Sequence, residues 1–180
     1  SIDARANGAA DEDAFWQADD VLRTNDSTMV VRGFDLGNVG GGTRGARVLI
    51  DGAQEAGFEA ANEIGGGGAI GTTTISIVPW AIGEDLTGNI AGTNPGNSLV
   101  QYDAVNGFRA LDFATEYSTF AGASGATDNV RETASVAVAA GATTVHSLVI
   151  DNSGAATDIL STGTAGDSLT NTSGAFLFTL

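Results

Sequence analysis

The sequence predicts an all-β fold in which the backbone coils as a parallel β-helix, a solenoid with irregular loops. Two observations carry that expectation. From Val130 to Leu180 short apolar runs (Val136 to Val138, Val145 to Ile150, Ile159 to Leu160, Phe176 to Leu180) alternate with polar corners. Strands of a few residues at roughly 10-residue intervals, with Gly, Asn, Asp, Ser and Thr between them, belong to coiled or stacked sheets. The same third of the chain is also filled with Ala, Gly, Ser and Thr and holds few aromatics, which suits a narrow solenoid interior. The alternative is an antiparallel β-sandwich, whose core would call for more large apolar side chains.

The elements follow in order. Residues 1–27 are acidic around Phe15, Trp16, Val21 and Leu22 and read as a cap or arm, since a solenoid needs its ends covered. Residues 28–180 then form the solenoid domain. Strands are expected at Met29 to Val31 and Arg47 to Ile50. Gln54 to Ile64 alone has helical composition, weakened by Gly57. Ile75 and Ile77 alternate with polar neighbours as a half-buried strand does, and Pro79 ends it. A polar loop over residues 83–99 contains the turn signal Asn94, Pro95, Gly96, Asn97. Further strands are expected at Ser98 to Tyr102 and Gly107 to Leu111. The chain opens on Ser1 and stops inside a strand-like run, so more chain or a neighbouring subunit is expected to continue it.

Composition narrows the function. The 180 residues carry 22 acidic side chains against 7 basic ones, a net charge of −15. Such a surface repels nucleic acid and anionic lipid, so neither is an expected partner. A hydrophobic content of 42% argues against general disorder, and 26 Gly with only 2 Pro leave the backbone free to pair. There is no Cys, which excludes disulfides, thiolate metal sites and a Cys nucleophile. No apolar stretch approaches the roughly 20 residues of a membrane span.

Several short patterns invite a chemical reading. Gly40, Gly42 and Gly45 satisfy G-x-G-x-x-G, as do Gly66, Gly68 and Gly71, but both lead into strand-like text where a dinucleotide site needs a helix. His146 is the only histidine. It neighbours Ser147 within one apolar run, and adjacent strand residues face opposite ways, so the two make no nucleophile–base pair. Glu84 with Asp85, Asp103 with Asp112 and Asp151 with Asp158 are conceivable carboxylate pairs for glycoside chemistry, with no spacing that selects one. No cofactor is expected; calcium is the one ion the acidic composition would admit, with Asp11, Asp13, Asp19, Asp20, Asp151 and Asp167 as candidate oxygen ligands. The plainer reading of these acids is solvated turn residues. Trp80 and Tyr102 with Phe15 and Trp16 could stack on a sugar, although core or end-cap roles explain them as well.

The runs Gly65 to Gly83, Tyr102 to Leu111, Ala126 to Arg131 and Ala142 to Asp151 resemble the autotransporter-associated β-strand repeats of large bacterial surface proteins. The resemblance covers residues 28–180. It implies a right-handed parallel β-helix displayed outside the cell and carries no catalytic motif. The expected function is a structural, non-enzymatic segment of a secreted or cell-surface stalk, fibre or adhesin-like protein. It would self-associate end to end with copies or neighbouring segments, with surface glycans as a further expected partner. The rivals are a carbohydrate-binding or carbohydrate-cleaving β-helix, and a fibre subunit assembled by strand donation through Phe176 to Leu180.

Overall fold

Alternating burial decides where the strands lie. In Ala46–Ile50 every second residue is buried, and Met29–Gly33 and Phe176–Thr179 follow the same period of two. The computed structural model describes residues 2–4, 14–37, 45–86, 97–121, 125–138, 141–152, 160–162 and 165–179. Among them the chain is all-β with one short helix. It divides into two units, one of Ser1–Glu63 with Ile77–Leu111, the other of Ile64–Ser76 with Asp112–Leu180.

In the first unit the strands are β1 (Ile2–Ala4), β2 (Ala14–Ala18), β3 (Met29–Gly33), β4 (Ala46–Ile50), β5 (Ala81–Asp85), β6 (Asn97–Asp103) and β7 (Gly107–Ala110). Helix α1 (Glu55–Asn62) lies between β4 and β5 in sequence. One sheet runs β1-β3-β5-β6-β7 and a second joins β2 to β4. β1, β3 and β5 pair in parallel, and so do β2 and β4. β5, β6 and β7 are antiparallel, which departs from a coil running through the whole of residues 28–180. The physical reason is local. Asp103 accepts the N–H groups of Val105 (2.8 Å) and Asn106 (2.7 Å), closing a tight turn that returns the chain beside itself. Gly107 sits at φ +75°, and a Cβ there would meet the Val48 carbonyl oxygen at 2.1 Å, so only glycine fits.

The core of this unit joins Val31, Val48, Ile50, Val78 and Val100 to an aromatic cluster. Phe58, the one buried residue of α1, packs edge-on against Trp80 (6.1 Å), Tyr102 (5.2 Å) and Phe108 (5.5 Å). The expected helical stretch is therefore a helix because it delivers one aromatic to this cluster, despite Gly57.

The second unit contains β8 (Asn129–Glu132), β9 (Val136–Val138), β10 (Ala142–Val145), β11 (Ser147–Asp151), β12 (Leu160–Thr162), β13 (Ser168–Asn171) and β14 (Phe176–Thr179). All of their pairings are parallel, and each partner lies three strands further along: β8 to β11 to β14, β9 to β12, and β10 to β13. The run Val145 to Ile150 is not one strand. It bends at His146, which separates β10 from β11. The expected strand around Ile75 and Ile77 buries both isoleucines but forms no ladder: Ile75 makes an isolated parallel bridge with Gly68 in the second unit, and Ile77 already belongs to the first. Its backbone is taken by β8, because Thr73 O accepts the Asn129 N–H at 2.8 Å.

Val130, Val145, Leu148 and Ile150 form the apolar core, with Phe120 and Leu169 against it. A polar column threads the same interior. Ser147 Oγ donates to Asn129 Oδ1 at 2.7 Å across 18 residues of chain, and Asn129 Nδ2 donates to Ile75 O at 2.9 Å. Buried polar groups stay only when paired, so this column penalises a slipped register. No described helix is long and apolar enough to cross a membrane.

Candidate functional site

Carboxylates are the most abundant ionisable groups of this chain, 22 against 7 basic side chains and one histidine. Glu116 is 0% exposed and holds two backbone N–H groups, Gly71 at 2.8 Å and Asp112 at 2.7 Å. Asp128 accepts from Thr73 Oγ1 at 2.7 Å and from Gly125 N at 3.2 Å. Both acids pin the segment 64–76 or its surroundings into the second unit, and the second glycine motif thus leads into a clamped turn. The first glycine motif lies, apart from Gly45, outside the described residues.

Of the six calcium candidates, Asp11 and Asp13 lie outside the described residues. Asp19 and Asp20 are exposed, and Asp20 Oδ1 accepts its neighbour's N–H from Val21 at 2.7 Å. Asp151 is buried and pairs with the Arg131 guanidinium, which lies 4.1 Å from the centre of the Phe113 ring. Asp167 Oδ1 accepts Gly141 N–H at 2.6 Å across 26 residues, tying the turn before β13 to the start of β10. Among the described residues no group of three or more acidic or histidine side chains is placed to hold a metal ion.

The glycosidase-style pairs separate in the same way. Glu84 binds Arg32 (2.6 Å to Nε), and Asp85 Oδ1 accepts the Asp35 N–H at 2.9 Å. Asp103 and Asp112 belong to different units, and Asp158 is outside the described residues. Ser147 is committed to Asn129, as above. His146 Nε2 lies 3.0 Å from the Ile64 carbonyl, which can only accept, so that nitrogen carries the proton. Its Nδ1 faces Thr172 Oγ1 at 3.2 Å. Burial pushes the imidazole pKa down, partly offset by the Ile64 contact, so the ring prefers to be neutral.

The sequence reading missed one cluster. On α1, Glu55 and Glu59 stand four residues apart, and Glu63 caps the helix C-terminus. Glu63 Oε1 accepts the Tyr102 N–H at 2.7 Å. Burial first, then the charges of Glu59 and Asp103, raise the Glu63 carboxyl to about 7 against the pull of that hydrogen bond. Glu59 is raised by burial, Glu55 and Asp103. The spacing of four was legible as one helical face; its partner Asp103 was not.

The ends of the ladders expose aromatics. Trp16 pairs in register with Val48, which is fully buried in the core, yet Trp16 is 40% exposed. Phe176 continues the column of Val130 and Leu148, and Phe178 that of Ile150, but they are 44% and 67% exposed. Their rings meet at 4.7 Å. Among the described strands, β2 and β14 both lie at the edges of their sheets.

Comparison of the chain with protein-family models, with curated proteins and with solved structures found no match.

Proposed function

We propose that this chain is a structural segment of a secreted or cell-surface stalk or fibre, built from parallel coils and associating end to end. The observation that carries the reading is that buried core columns stop on exposed aromatics at two open edges, Trp16 on β2 and Phe176 with Phe178 on β14. A column that ends on an uncovered ring gains by receiving another layer, at roughly 25 cal/mol per Å² of apolar surface buried. The regular offset of the pairings supports coiling: three strands apart in the second unit, two apart among β1 to β5. Parallel crossovers of this kind are right-handed in almost all proteins. The site chemistry supports a structural role too, since Glu116, Asp128 and Asp167 each hold backbone N–H groups of the second unit.

Strand donation is the less favoured assembly route, because β14 already lies in its own sheet beside β11. The test is sedimentation velocity of the whole chain over a range of concentration and salt. Association is expected to strengthen from about 0.05 M to about 0.5 M salt as the negative surface is screened. Phe178→Lys and Trp16→Lys should each abolish it while leaving the circular dichroism unchanged. A chain that stays monomeric throughout overturns the stacking reading. Binding on a glycan array, or release of reducing ends from a polysaccharide, would turn the assignment to the carbohydrate-active rival.

A further inference from the structure

We propose that Glu63 is a proton-operated latch that holds α1 against the aromatic cluster of the first unit. The geometry has three parts. The Glu63 carboxyl receives the Tyr102 N–H at 2.7 Å, directly joining the end of α1 to the middle of β6. Phe58, one turn back, fills the space between Trp80, Tyr102 and Phe108. And the helix has an acid but no base near its C-terminus, where the carbonyl dipoles already disfavour negative charge.

Among the described residues, the charges that raise the Glu63 carboxyl are both negative. Glu59 acts from α1 and Asp103 from β6, while Glu55 acts on Glu59 and on the Tyr102 phenol. Asp51 precedes the helix, and its carbonyl accepts the Gln54 N–H at 2.7 Å. Arg109 on β7 directs its guanidinium to Gln101 Oε1 at 3.2 Å and the Ala110 carbonyl at 3.2 Å. Register pairs Gln101 with Arg109 and Tyr102 with Phe108, so the first pair lies on the sheet face opposite the aromatic cluster.

Protonated, Glu63 keeps the Tyr102 bond through its carbonyl oxygen and adds no charge. Ionised, it places a third partly buried carboxylate charge beside Glu59 and Asp103, and the helix loosens. The sign is therefore that docking is complete below the ordinary carboxylate pKa of 4.5 and weakens as pH rises through about 7. The device gives the first unit a tighter acid form and a looser alkaline form, with the Phe58 plug as the moving part.

The experiment is amide hydrogen exchange of the whole chain, corrected for intrinsic rates, from about pH 5 to about pH 9. Protection of Phe58, Asn62 and Tyr102 amides should fall at least about tenfold from about pH 5 to about pH 7 and level off above it, the midpoint of the fall lying between the two pKa values. Glu63→Gln, which retains an acceptor for Tyr102, should hold the acid level of protection throughout. Glu59→Gln removes a neighbouring charge and should move the midpoint down. A flat wild-type profile overturns the proposal, as does an unchanged profile in Glu63→Gln. If Glu63→Gln fails to fold, a Glu59→Gln midpoint that stays or rises overturns it equally.

Discussion

Arg131 and Asp151 show how costly a single unpaired charge is in this chain. The Arg131 guanidinium is mostly buried between Phe113 and Asp151, and its Nε has no hydrogen-bond partner. Removing the carboxylate strands a buried cation, so Asp151→Ala should destabilise the second unit by about 3 kcal/mol in urea unfolding. A loss below about 1 kcal/mol would mean that solvent reaches the pair. Gly107→Ala should cost at least about 2 kcal/mol, combining the positive φ with the contact on Val48. His146 supplies a pH effect of definite sign. Its folded pKa lies below the unfolded value of 6.5, so the neutral ring's contribution is intact above that value. It is lost as pH falls through the folded pKa. The melting temperature of the second unit should drop on acidification, and His146→Asn should flatten that drop.

At the scale of elements, α1 is the least secure. It lacks a side-chain N-cap bond, and Gly57 sits where an added Cβ would meet nothing within 4 Å. Gly57→Ala should therefore raise stability by about 0.5–1 kcal/mol, read as a higher denaturant midpoint with unchanged slope. Most strands were legible, because a period of two with one buried face survives any topology: Met29 to Val31, Arg47 to Ile50 and Phe176 to Thr179 all stand where the apolar pattern put them. What the pattern leaves open is strand direction. Ser98 to Tyr102 reads like any other strand, and only the Asp103 to Gly107 turn makes β6 and β7 antiparallel. Corners inside apolar runs were equally hidden, since Val145 and Leu148 differ little in hydropathy from one strand's residues. The acids were counted as turn residues, whereas Glu116 and Asp128 are buried holders of backbone. Nothing local distinguishes the two, because their partners Gly71 and Thr73 lie 45 and 55 residues away.

For the molecule as a whole, a net charge of −15 sets a background repulsion that salt relieves. The two units answer acid in opposite senses, the first tightening through Glu63 and the second loosening through His146. A thermal scan at mildly acidic pH should then separate into two transitions that approach each other as pH rises toward neutrality.

The segment Ile64–Ser76 also changes what a fragment of this protein can be. The polypeptide passes from one body to the other at three points, after residues 63, 76 and 111. A ribosome delivers that segment long before the layers it will sit under, and β5 to β7 of the first body arrive only after it. A chain stopped at Leu111 would carry thirteen orphaned residues looping out of an otherwise finished unit. A chain begun at Asp112 would lack the carbonyl that Asn129 grips and the one His146 addresses. No single cut yields two whole pieces, so truncation at any one point leaves at least one unit incomplete.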